Sequence, residues 1–382
     1  MDERYTVKME SGLWDFNSMD GDSDYASVMD FLNTNKQSFG EALIYFYRKI
    51  YPDTDSVQVR KALEQQAKAK DIVIASPGAL DNWFKQGKRP KKSQQSRQTM
   101  FRLAFAMGLD TLQTAELFHK VYLDRAFNRR SREETIYYYC LRNRLTWQHA
   151  QELIRITDNM KSDAPASDET VYTIELKNAF QRITSDAELL TFLTEHSHNF
   201  ELDSVTALRT LDDYKQRALA CAKEAAESER AFEPEAYKGM DMTSTSFLYH
   251  MITNQVVAGK AGTVTMSLKD TILPQEIRNN FPQPATFSLK DPNFEEIRKM
   301  LVMLFSYVFW MNMRKYRMKY DKADDYYDDY VDQLNDLLER CSLPPLYYGS
   351  AYDWLILYCT ATEDPLDTFQ DILAYVLDGA DE

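Results

Sequence analysis

The sequence predicts an all-α protein. Glycine is scarce, at 11 of 382 residues, apolar positions recur at three- and four-residue spacing, and no stretch sustains the period-two alternation of a half-buried strand. A chain of this length has room for two or three domains, each burying its own core. The longest apolar run, residues 300–311 (MLVMLFSYVFWM), is shorter than the roughly 18 residues a membrane span requires. It reads as a buried helix of a soluble protein with no membrane partner. Cys140, Cys221, Cys341 and Cys359 form no C-x-x-C pair and have no histidine at zinc spacing. They read as reduced thiols in a cytoplasmic protein that needs no cofactor. The opening MDERYTVKMESGLWDF has neither a basic n-region nor an apolar core, so no signal peptide is expected.

Taken in order, residues 1–38 mix acid, Ser and Gly and read as an acidic, flexible tail with a short helix over 24–32. A helical series then fills 39–124. FGEALIYFYRKI (39–50) and VQVRKALEQQAKAK (57–70) each carry an apolar stripe. SPGALDNWFKQG (76–87) starts on a capping Ser76 with Pro77 at the first helical position and stops on Gly87. SRQTMFRLAFAMG (96–108) and TLQTAELFHKVY (111–122) follow across a tight Gly108-Leu109-Asp110 turn. Residues 125–160 read as a helical hairpin connector, entered through a basic link and a capping box of Ser131 with Glu134.

The polar stretch KSDAPASDET (161–170), broken by Pro165, marks the first boundary. Beyond it, 168–382 reads as a larger irregular helical domain for assembly or sensing. Its predicted helices cover 170–182, 185–195, 204–228, 294–320, 326–340 and 365–377. The segment 259–287 departs from the pattern and has the makings of one short β-hairpin. No repeat at solenoid periods occurs, so a regular superhelix is not expected.

The formal net charge is −14, but it is unevenly spread. Residues 321–382 hold 16 acidic and 2 basic residues, which leaves 43 of each sign before them. A low overall isoelectric point therefore does not exclude a nucleic-acid surface upstream, because phosphate contacts are local.

The basic cluster of LDNWFKQGKRPKK (80–92) belongs to the third helix of the series and its exit. Leu80, Trp83 and Phe84 share one face, suited to packing inward. Gly78, Asp81, Asn82 and Lys85 share the other. A short polar face near a helix start suits a major groove about 12 Å wide. Asn82 can pair with an adenine edge, Asp81 can accept from cytosine N4, and Gly78 leaves room beside them. Ser76, Lys85, Lys88, Arg89, Lys91, Lys92 and Arg97 are the candidate phosphate contacts, which position without specifying.

Trp83-Phe84-Lys85-Gln86-Gly87-Lys88-Arg89-Pro90, followed by Leu103-Ala104-Phe105-Ala106-Met107-Gly108-Leu109, resembles the lambda-repressor-like (Cro/C1-type, XRE) helix-turn-helix domain over about residues 40–120. Two features depart from that family: the link 69–75 is longer than its usual tight turn, and Pro90 is followed by a further basic loop, KKSQQSR. The remainder, with phrases such as AYDWLILYCTATEDPLDTF, is similar to helix-turn-helix proteins of Gram-positive mobile elements. The resemblance implies a transcriptional regulator that binds double-stranded DNA as a homodimer, each copy reading one half-site. A peptide or protein effector on the C-terminal domain is part of the same expectation.

Other constellations have plainer readings. In residues 321–340, Asp324 and Asp325 stack over Asp328 and Asp329, but Tyr327, Val331, Leu334 and Leu338 form an opposite apolar stripe, so a solvated face is expected rather than a metal site. Imitation of DNA charge by that face is a further reading. His196 and His198 have no third ligand nearby in sequence. VAGKAGT (257–263) fails the P-loop pattern at Asn254 and Ala261. The aromatic runs 137–139 and 305–310 read as core. No catalytic motif occurs, and no enzyme is expected. The alternatives are a protein-interaction or adaptor protein in phage defence or counter-defence, an RNA-binding protein using the same basic loop, and an enzyme whose residues converge from distant helices.

Overall fold

Helices are the sole regular structure among the described residues, with no strand. The computed structural model describes residues 3–17, 25–35, 37–128, 131–158, 180, 182–196, 205–232, 237–254, 277, 281–289, 292–315 and 323–378. No helix among them is long and apolar enough to cross a membrane. Two compact units result, one from Met1–Glu3 with Gln37–Thr206 and one combining Arg4–Lys36 with Ala207–Glu382.

The first unit contains α3 (Phe39–Ile50), a single 3-10 turn (Ser56–Gln58), α4 (Val59–Ala69), α5 (Pro77–Phe84), α6 (Gln94–Met107) and α7 (Thr111–Glu116), which continues as a π-helical turn over Leu117–Tyr122. Next come α8 (Arg132–Arg142), α9 (Trp147–Asp158) and α10 (Asp186–Glu195). Local chemistry sets the ends. Ser38, Asp110 and Ser185 each complete a capping box, and Gly108 closes α6 at φ 67°.

The connector reading of 125–160 is corrected here. Ile136, Tyr137, Cys140, Ala150 and Leu153 of α8 and α9, with Leu189 and Leu193 of α10, share one apolar core with Phe46, Leu63 and Phe101. Amphipathic helices this short cannot bury their stripes alone, so they join the preceding bundle. The unit therefore runs past the sequence boundary near 165, which lies outside the described residues along with most of the helix expected over 170–182.

The second unit overturns the reading of 1–38 as a flexible tail. Residues in α1 (Glu3–Asn17) and α2 (Tyr25–Thr34) bury Met9, Leu13, Val28, Met29 and Leu32 in the core of the C-terminal helices. Trp354 Nε1 donates to the Met9 carbonyl at 2.7 Å, and Trp14 meets Tyr327 edge-on at 5.0 Å. The remaining helices are α11 (Val205–Phe232), α12 (Thr245–Thr253), a single turn α13 (Pro284–Phe287), α14 (Phe294–Lys315), α15 (Ala323–Arg340), α16 (Ala351–Thr360) and α17 (Pro365–Asp378). Most of the expected β-hairpin region, VAGKAGT and His198 lie outside the described residues.

The centre of this unit is aromatic and hydrogen-bonded. The Ser306 and Tyr330 hydroxyls meet at 2.7 Å, and Trp310 Nε1 donates to Thr360 Oγ1 at 3.1 Å. Arg298 grips Asp353 with two bonds of 2.9 and 2.7 Å, fixing α14 to α16. On α15, Tyr327, Tyr330, Leu334 and Leu338 are buried while Asp328, Asp329 and Asp332 are exposed.

Candidate nucleic-acid interface

The start of α5 is built locally. Ser76 Oγ accepts from the Ala79 N–H at 3.3 Å, and Pro77 occupies a position whose amide has no helical partner anyway. Leu80 and Trp83 are buried, and Trp83 packs edge-on against Phe39 at 5.2 Å. Gly40 lets α3 and α5 approach this closely, because a β-carbon there would strike the Trp83 carbonyl.

The opposite face is open. Ser76, Gly78, Asn82 and Lys85 are exposed, and a β-carbon built on Gly78 meets nothing within 4 Å. An eight-residue helix is about 12 Å long, comparable to the width of a major groove.

Asp81 differs from its sequence reading. Its Oδ1 takes the Arg60 guanidinium and, at 3.2 Å, the Lys85 ammonium. Those two hydrogen bonds, Arg60's first, hold its carboxyl below the usual range. Asp81 thus ties α5 to the first turn of α4, which competes with pairing to a cytosine edge. Arg60 was not among the sequence candidates, and at 21 residues' separation no local pattern reveals it.

The basic exit is anchored through its backbone. The Lys88 N–H donates to Asn82 O at 2.9 Å, the Phe39 N–H to Gly87 O at 3.2 Å, and the buried Tyr122 hydroxyl to Lys91 O at 3.0 Å. Arg89 Nη2 donates to Gln37 O at 3.5 Å and its side chain is half-buried. Lys88 and Lys91 are exposed and Lys92 is half-buried. The loop is therefore pinned while the Lys88 and Lys91 side chains remain exposed. Residues 85–132 hold 12 Lys or Arg against 3 Asp or Glu, so the local charge is strongly positive.

Arg97 is corrected outright. It is 8% exposed and its guanidinium donates to Glu134 at 2.8 and 2.7 Å, to Asp124 at 2.6 Å and to the carbonyls of Arg125 and Ala126. It ties α6 to the entry of α8 and serves the fold. Of the ten sequence candidates, the structure brings Ser76, Gly78, Asn82, Lys85, Lys88 and Lys91 to the surface of α5 and its exit. Lys92 and Arg89 are only partly exposed beside them. Comparison with protein-family models, curated proteins and solved structures finds no match to this chain.

Proposed function

We propose that the protein binds double-stranded DNA sequence-specifically and regulates transcription, with α5 as the recognition helix of a lambda-repressor-like domain. The observation that carries this reading is the face of α5: Gly78 and Asn82 lie open on it, the helix behind it is locked by Leu80 and Trp83, and Lys85, Lys88 and Lys91 flank it. Asn82 reads an adenine edge, the lysines hold phosphates, and the Arg60–Asp81 pair keeps α5 in register. One such helix covers one half-site, so the active form is a homodimer.

The test is the salt dependence of binding to a fluorescent duplex. With six or more phosphate contacts in the dimer, affinity falls about a thousandfold between about 50 and 200 mM salt. Affinity that does not respond to salt over that range would rule this reading out.

A further inference from the structure

Three helices of the first unit end at one place. α4, α6 and α8 close with left-handed residues, Asp71 at φ 55°, Gly108 at φ 67° and Arg144 at φ 56°. Each end returns an amide to its own last turns: Ile72 to Ala67 O at 2.9 Å, Leu109 to Ala104 O at 3.0 Å and Leu145 to Cys140 O at 2.8 Å. Each of these bonds satisfies one carbonyl at the end of its helix. Between the three ends lies a cavity of about 380 Å³, within the range of about 300–1,000 Å³ typical of small-molecule sites.

Its walls are of two kinds. The nearly buried Ile72, Phe105 and Leu109 and the half-buried Trp147 line it with apolar groups, Lys70 and Arg144 provide positive charge, and among the described residues no Asp or Glu lines it. Trp147 is held rigidly, stacked on Tyr137 at 5.2 Å and edge-on to Phe105 at 5.4 Å. Lys70 Nζ donates to Phe105 O at 3.0 Å, which uses one of an ammonium's three donors. Among the described residues neither Lys70 nor Arg144 forms an ion pair. Lys70 and Arg144 are exposed residues, and partial desolvation lowers the Lys70 pKa at some cost to its charged form. An anion would relieve that cost.

We infer that this cavity binds a small organic carboxylate with an aromatic or branched apolar body, its carboxylate facing Lys70 and Arg144 and its body lying against Trp147, Phe105 and Leu109. The mouth adjoins the link 70–76 between α4 and α5, where Gln148 Nε2 donates to the carbonyls of Lys70 at 2.7 Å and Asp71 at 3.2 Å. An occupant contacting Lys70 and Ile72 braces this link and, through it, the placement of α5. That consequence rests on the DNA-binding reading, whereas ligand binding does not.

The test uses the full chain labelled with ¹⁵N at tryptophan, the Trp147 indole signal being assigned with Trp147→Phe. The probes are indole-3-acetate, 3-phenylpropionate and 4-methylpentanoate, each beside its carboxamide and its corresponding amine. At least one carboxylate is expected to shift the Trp147 signal with a Kd of about 1 mM or tighter, and its amide and amine to bind about tenfold more weakly. Lys70→Met and Arg144→Gln should each weaken the carboxylate about tenfold, the effect of removing one charge-assisted hydrogen bond. Absence of any carboxylate-dependent shift, or amides or amines that match the acids, overturns the inference without recourse to a variant. DNA binding is measured separately, so a failure of the ligand site is distinguishable from a failure of the DNA-binding reading.

Discussion

The backbone N–H of Phe39 donates to the carbonyl of Gly87 at 3.2 Å, so the first turn of α3 holds the chain just beyond the end of α5. Gly87 has φ 64°, and a β-carbon there would lie 2.8 Å from Ser38 Cβ. Gly87→Ala is therefore expected to destabilise the first unit by about 1–2 kcal/mol, the cost of a left-handed L-residue. Gly78→Ala has open space and an ordinary helical backbone, so it should stabilise by up to about 1 kcal/mol while weakening DNA binding. Urea unfolding of both variants, followed by duplex titration, checks the contrast.

Arg97→Met should be far more damaging, by about 3–5 kcal/mol, because it strands the Glu134 and Asp124 carboxylates without their partner. The same cluster predicts a pH dependence. Desolvation pushes the Asp124 carboxyl up, but Arg97, Lys92 and the Arg125 N–H together take it below its usual value. A depressed carboxyl contributes stability that is present above the unfolded value of about 3.9 and is lost as pH falls through the lower folded value. Urea midpoints between about pH 3 and pH 7 should fall more steeply toward acid for the wild type than for Asp124→Asn.

The surface lysines should act without touching the fold. Lys88→Ala and Lys91→Ala are each expected to leave the thermal midpoint unchanged and to reduce the slope of log K against log salt, by about 0.9 for each phosphate that a copy no longer neutralises. Anisotropy titrations at four salt concentrations measure this. An unchanged slope in both variants would place the phosphate contacts elsewhere.

Leu13 is fully buried in the second unit although the sequence around it is acidic and polar. Leu13→Ala should cost about 2–5 kcal/mol, as for other buried leucines. Thermal unfolding that leaves the second unit's transition in place would contradict the packing of α1 described above.

How much of this was legible in the sequence follows from how local each cause is. The α5 segment was readable because its cap, its proline and its terminal glycine all lie within twelve residues. α16 left no signal, since every residue from Ala351 to Thr360 is buried and an all-round apolar helix has no polar stripe to give its period. In α1, acids and Gly12 obscured the spacing of Met9 with Leu13, whereas the short helix read over 24–32 is present as α2. Arg97 and Asp81 were misread for one reason: their partners are 21 to 37 residues away, and an arginine in sequence does not disclose whether it faces phosphate or a buried glutamate.

The central claim is that α5 reads base sequence through Asn82. Selection of bound duplexes from a random DNA pool, run in parallel with wild type and Asn82→Ala, tests it most directly. The account predicts one enriched motif arranged as two half-sites about 10 base pairs apart, or a multiple of that spacing. The substitution should relax preference at one adenine in each half-site, at a cost of about 1–3 kcal/mol. A pool that shows no enrichment, or the same motif recovered unchanged by Asn82→Ala, would contradict it.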